Sequence, residues 1–169
     1  MNLEVQKLVF VALGSNLGNS RQIISQAIER LQTLSSQPLL KSSLWKTTPV
    51  NCPPGSPPFV NAIVGIVPFA EETPESLLEK LQQLEKEFGR TRKKILNEAR
   101  SLDLDLIAFG TEILASEKLC LPHPRAHERG FVLGPLNEIA PDLVLPKQSK
   151  SIRELFGNLK TDEKLERLD

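Results

Sequence analysis

Over positions 100–109 the chain reads Arg-Ser-Leu-Asp-Leu-Asp-Leu-Ile-Ala-Phe, with leucine and aspartate alternating across 102–106. Successive side chains of a β-strand point to opposite faces, so Leu102, Leu104 and Leu106 line one face and Asp103 and Asp105 the other. The leucine face demands a packed layer beneath it. On the opposite face the two aspartate Cβ atoms stand roughly 6.5–7 Å apart, a separation from which both carboxylates can reach one hard cation or flank a pair.

Just upstream, residues 89–100 carry Arg90, Arg92, Lys93, Lys94 and Arg100 against a single acid, Glu98. Carboxylates beside a basic segment suit a polyphosphate–Mg²⁺ complex: the metal binds carboxylate and phosphate oxygens together, and arginines take the remaining charge. Either feature alone also suits a solvated surface. Their adjacency, with a second His/Arg cluster downstream, favours a site.

The whole chain, 169 residues with 21 basic and 21 acidic side chains, reads as one domain of zero net charge with a core over about 7–146. That balance gives no case for a nucleic-acid or membrane partner, so anion binding must come from local clustering. The two cysteines, Cys52 and Cys120, lack zinc spacing, and no apolar run is long enough for a signal or a span. A monomer in a reducing, cytoplasmic setting is expected.

In chain order, 7–13 reads as a buried strand entering a turn at Gly14-Ser15-Asn16, which is either structural or a presenter of N–H groups to an anion. Asn19 or Ser20 caps a helix with Ile24, Ala27, Ile28, Leu31 and Leu34 at helical spacing. Residues 39–47 predict a second strand. The five prolines of 48–58 force an exposed loop, and 59–69 predict a strand pairing back on the second. Thr73, Pro74, the stripe Leu77, Leu78, Leu81, Leu84, Phe88, and then Gly89 bound a second helix from cap to C′ position. With the aspartate strand the order is β-α-β-β-α-β. This is an α+β, ferredoxin-like core with a mostly antiparallel sheet, helices on one face and C-terminal additions. Short helices are expected within 132–139 and 152–159, and the polar residues 160–169 are expected to fray.

Both histidines, His123 and His127, fall in one proline-bounded loop with Arg125 and Arg129. Pro124 opposes the helix geometry that a His-x-x-x-His zinc site requires, which favours a phosphate-contacting loop. Taken together, Gly14-Ser15-Asn16, Gly89-Arg90-x-Arg92, Arg100-x-x-Asp103-Leu104-Asp105, and Pro122-His123 with Arg129-Gly130-Phe131 resemble 6-hydroxymethyl-7,8-dihydropterin pyrophosphokinase of folate biosynthesis. The resemblance runs over roughly 8–145.

The resemblance implies ATP as co-substrate and transfer of its β,γ-diphosphate to the pterin hydroxymethyl group, with release of AMP. It implies that Asp103 and Asp105 hold two Mg²⁺ ions. Arg90, Arg92 and Arg100 would contact the triphosphate, joined on ATP by His123, Arg129, Gln82 and Glu85. The pterin would lie between Phe59 and Phe131, with Asn61 and the backbone around Thr47, Thr48 and Val50 reading its polar edge. One departure stands out. Where the family carries Arg-Trp-Gly-Pro-Arg, this chain reads Leu96-Asn97-Glu98-Ala99-Arg100. An aromatic lid residue and one arginine are missing, and Lys93 or Lys94 is expected to supply the charge.

Two other classes compete. Nucleotidyl transfer by a Gly-Ser…Asp-x-Asp fold also pairs aspartates on metals, but there the Gly-Ser turn lies close before the pair. A ferredoxin-like sensor domain would not need the Asp pair, the basic segment and the His/Arg loop to converge.

Overall fold

The structure, a computed structural model, describes residues 8–16, 18–48, 57–89, 101–161 and 164–168. Strand β1 (Val9–Ser15) runs two residues further than its apolar run suggests, because Gly14 and Ser15 still pair with Asn61 and Val60. Helix α1 (Ser20–Gln32) starts at Asn19, whose side chain accepts from the Gln22 N–H. The expected second strand comes as two pieces, β2 (Leu40–Lys41) and β3 (Trp45–Thr47), both antiparallel to β4 (Phe59–Ile66). Ser42 causes the break: its Oγ accepts from the Ile63 N–H at 2.9 Å, standing in for a ladder carbonyl.

Helix α2 (Pro74–Glu87) opens with a reciprocal cap between Thr73 and Ser76 and closes at Phe88. Gly89 follows at φ +90°, a conformation open to glycine and strained for other residues. Strand β5 (Asp103–Phe109) comes next, then a small hairpin of β6 (Leu114–Ala115) and β7 (Cys120–Leu121). A single 3-10 turn (Ala126–Glu128) leads into α3 (Gly130–Ile139), and α4 (Ile152–Asn158) begins at a Ser151–Glu154 capping box. The tail does not simply fray. Leu165–Arg167 forms β8, antiparallel to β3, and the Leu168 N–H donates to the Leu44 carbonyl at 2.8 Å. A polar sequence conceals such a strand because edge pairing needs only backbone donors and acceptors.

The main path of the sheet is β5-β1-β4-β3-β8, antiparallel at each pairing, which is the split β-α-β order of an α+β fold. Its two faces carry separate cores. On one, Val11, Leu13, Val64, Leu104 and Leu106 meet α1 and α2 through Ile24, Leu31, Leu77 and Leu81. The two core helices therefore share a face, as the pattern requires. The C-terminal helices cover the other face, where Phe10, Ala12, Ile63 and Ile107 pack on Val132, Leu133, Leu136 and Ile152.

Candidate active site

The face beneath α3 is apolar toward one end of the strands and polar toward the other. Asp103 and Asp105 sit half-buried on it, with Leu104 and Leu106 buried on the reverse, so the alternation in the sequence is realised. In register, Asp105 lies opposite Ala12, and Asp103 lies opposite Gly14, which faces Asn61, which faces Trp45. Side chains of directly paired residues share a face. One row across four strands therefore carries a carboxylate, a gap, an amide and an indole.

The carboxylate end is anchored from behind. Among the described residues β5 lies at one edge of the sheet, and its Leu104 N–H is taken by Glu85 of α2, whose Oε2 accepts at 2.7 Å; Glu85 is 7% exposed. Glu85 thus braces the backbone between the two aspartates. Gln82 stands exposed one turn earlier on the same helix. Ser101 Oγ donates to the Phe88 carbonyl at 2.5 Å, which joins the residue after α2 to one shortly before β5, on either side of the basic segment. Arg90, Arg92, Lys93, Lys94 and Arg100 themselves lie outside the described residues, as does Val50.

A bulge in β5 draws in the His/Arg loop. The β1–β5 register slips between Phe10 and Val11, leaving Ile107 as an extra residue whose carbonyl accepts the His123 N–H at 2.8 Å. His123 Nδ1 accepts from the Arg125 N–H at 3.2 Å, so the neutral ring carries its proton on Nε2. Burial, then Arg129, then Arg125 hold its pKa below the ordinary histidine value, while the charge of Asp103 works the other way. His123, Arg129, Arg125 and Asp103 thus form one electrostatic cluster. The Arg129 guanidinium also lies 5.4 Å from the centre of the Phe131 ring, a cation–π contact at the start of α3. Among the described residues no three His, Cys, Asp or Glu side chains converge on a metal position.

Toward the amide end, Thr47 Oγ1 donates to Asn61 Oδ1 at 2.7 Å, and both residues are buried. Phe59, two residues before Asn61 on β4, is half-buried on the same face. Thr48 is exposed, and its N–H donates to the Lys164 carbonyl at 3.2 Å, so the C-terminal segment already engages that donor.

Sequence reasoning had no signal for the support of this end. Trp45 stacks close to Gly134 of α3, where a Cβ would stand 3.3 Å from the ring. Its Nε1–H donates to Glu138 Oε1 at 3.1 Å, and Glu138 also accepts from the Ser43 N–H and hydroxyl. Burial would raise the Glu138 pKa, but these hydrogen bonds and the Arg167 charge outweigh it and hold the carboxyl below its ordinary value. Glu138 thereby ties α3, which begins beside Phe131, to β3, which carries Thr47. Glu138 lies 93 residues from Trp45 and 95 from Ser43, so no local pattern marks them.

A model of the 7,8-dihydro-6-hydroxymethylpterin-pyrophosphokinase (HPPK) family matches residues 10–141. The 2-amino-4-hydroxy-6-hydroxymethyldihydropteridine pyrophosphokinase of Haemophilus influenzae is 40% identical over 161 residues, 95% of this chain and 97% of that protein. The Bacillus subtilis protein of the same name is 38% identical over 136 residues, 80% of this chain and 79% of the relative. In three dimensions the fold resembles wild-type Plasmodium falciparum HPPK-DHPS crystallised with pteroate, at a TM-score of 0.68 and 14% identity. That likeness covers 89% of this chain but only 42% of the solved one, so the chain spans less than half of that protein.

Proposed function

The chain belongs to the 7,8-dihydro-6-hydroxymethylpterin-pyrophosphokinase family, and on that premise we propose how its residues divide the work of moving diphosphate from ATP to a hydroxymethyl dihydropterin. The single observation that carries the division is the row Asp103–Gly14–Asn61. It sets a carboxylate cluster with basic neighbours at one end and a buried, hydrogen-bonded amide at the other. ATP belongs to the first end and the pterin to the second.

Two carboxylates on one strand face form a hard oxygen donor set. Mg²⁺ commonly binds through one or two carboxylates together with substrate phosphates, without a dedicated all-protein cage. Asp103 and Asp105 fit that mode and would hold two Mg²⁺ ions, which when bound neutralise and orient the phosphate oxygens. Arg129 and His123 Nε2–H face the same cluster as donors to the triphosphate, and Arg90, Arg92 and Arg100 join them by sequence. Gln82 is proposed as a further ATP contact, and Glu85 as one that also braces β5. Phe59 and Phe131 would stack on the heterocycle, and Asn61, with the backbone near Thr47, Thr48 and Val50, would read its polar edge.

In the transfer, the acceptor hydroxyl oxygen bonds to the β-phosphorus as the bond to the α–β bridging oxygen breaks, the hydroxyl proton passes to solvent, and AMP leaves. Such a reaction asks a protein for in-line positioning and for neutralisation of developing charge. No covalent nucleophile and no essential general base is assigned. The test is binding by titration. A non-hydrolysable ATP analogue should bind only with Mg²⁺, and pterin affinity should fall for Asn61→Ala while analogue affinity holds. Metal-independent nucleotide binding, or equal loss of both ligands, would reverse the assignment.

A further inference from the structure

Gly14 belongs to the Gly-Ser-Asn motif, yet neither the nucleotide end nor the pterin end of the proposed site uses it. It lies within β1, not in a turn, and its φ is not positive; among the described residues the positive-φ glycines are Gly18, Gly89 and Gly110. Backbone conformation therefore does not require glycine here. Space does. A Cβ on Gly14 would stand 3.0 Å from Asn61 Nδ2 and 3.9 Å from Phe59 Cδ1.

At 3.0 Å one partner must move, and a flexible side-chain tip would normally do so at little cost. Asn61 is not free in that way. It is 6% exposed, its Oδ1 accepts from Thr47 Oγ1 at 2.7 Å, and its Nδ2 points at the Leu13 carbonyl 3.5 Å away. Even the small shift that makes room for a new methyl group moves the amide against its Thr47 hydrogen bond. The same methyl would rise from the sheet between Asp103 and Asn61, because the three residues are paired neighbours in one row.

We infer that Gly14 is a positioning residue for the acceptor end of the site. Its missing side chain keeps the Asn61 amide locked on Thr47, in the orientation from which it reads the acceptor. This inference rests on the proposed assignment of Asn61 to the pterin.

The experiment is a two-residue cycle of Gly14→Ala and Asn61→Ala, with KM for the pterin, kcat, and Kd for Mg²⁺ with an ATP analogue. Gly14→Ala should raise the pterin KM at least tenfold and leave the analogue Kd within twofold. Asn61→Ala should raise the pterin KM as well. The double variant, in which the clash is gone, should be no worse than Asn61→Ala alone. If Gly14→Ala does not fold, the double variant still must fold and match Asn61→Ala. An unchanged pterin KM in Gly14→Ala, equal losses for both ligands, additive losses in the cycle, or an unfolded double variant would each overturn the inference. An unchanged pterin KM in Asn61→Ala would instead overturn the pterin assignment on which it rests.

Discussion

Replacing Glu85 by leucine removes the acceptor of the Leu104 N–H, while glutamine at the same position keeps one. Leu104 is 6% exposed, so its N–H loses a 2.7 Å partner with little access to water. A buried donor left unsatisfied costs about 1–3 kcal/mol. For a chain of this size each kcal/mol lowers the melting midpoint by about 2–4 °C, so Glu85→Leu should melt about 2–12 °C lower. Glu85→Gln should recover most of that loss. Because Leu104 lies between Asp103 and Asp105, slack in the strand should also move the carboxylates and raise the Mg²⁺ concentration needed for half-maximal rate severalfold. Calorimetric melts, with Mg²⁺ titrations of the rate, read both effects. A Glu85→Leu protein with an unchanged midpoint would refute the bracing role. If Glu85→Gln weakened ATP binding at a nearly unchanged midpoint, Glu85 would be a nucleotide contact as well as a brace.

Asp103→Asn and Asp105→Asn keep volume and remove charge, so each should lower turnover at least about a hundredfold, the loss typical of removing one electrostatic stabiliser. Circular dichroism should be unchanged, and a folded variant with near-normal rate would refute the metal assignment. Phe131→Ala should weaken pterin binding by about 1–3 kcal/mol, the range for heterocycles stacked on aromatic rings, with ATP binding nearly constant by titration. His123 has a folded-state pKa below its unfolded value, so the unfolded chain takes up the proton first as pH falls. Its contribution is complete above the ordinary histidine pKa and is lost on acidification toward the depressed one. Stability measured by denaturant from pH 7.5 to 5.5 should therefore fall less steeply in His123→Gln. A steeper fall would contradict the sign. Phosphate near Arg129 and Arg125 should return the pKa upward, so ATP binding near pH 6 should take up protons, measurable by calorimetry in buffers of different ionisation heat.

Where the chain's own local chemistry decides conformation, the fold could be read directly. Thr73, Pro74 and Gly89 bound α2, Asn19 starts α1, and the leucine–aspartate alternation places β5 with its carboxylates on the face away from the two core helices. Local chemistry is silent where a distant group decides. The break between β2 and β3 depends on Ser42 reaching Ile63, and β8 depends on an open edge at β3. At the site, the composition of the clusters could be read, but their support could not. Glu85 looks like one more acid on an amphipathic helix until Leu104 is placed beside it, and Glu138 gains meaning only with Trp45 and Ser43. Gly14 is easily taken for a turn former, whereas the paired strands show that it makes room for Asn61.

The central claim is that one intact diphosphate leaves ATP for the pterin alcohol. It is tested most directly with ATP labelled at the β-phosphorus, followed by separation of nucleotides from pterins after partial conversion in Mg²⁺. The account predicts unlabelled AMP in equal amount to a pterin diphosphate carrying the label, and no AMP when the pterin is omitted. Formation of ADP that keeps the label, or AMP release that does not depend on the pterin, would contradict it.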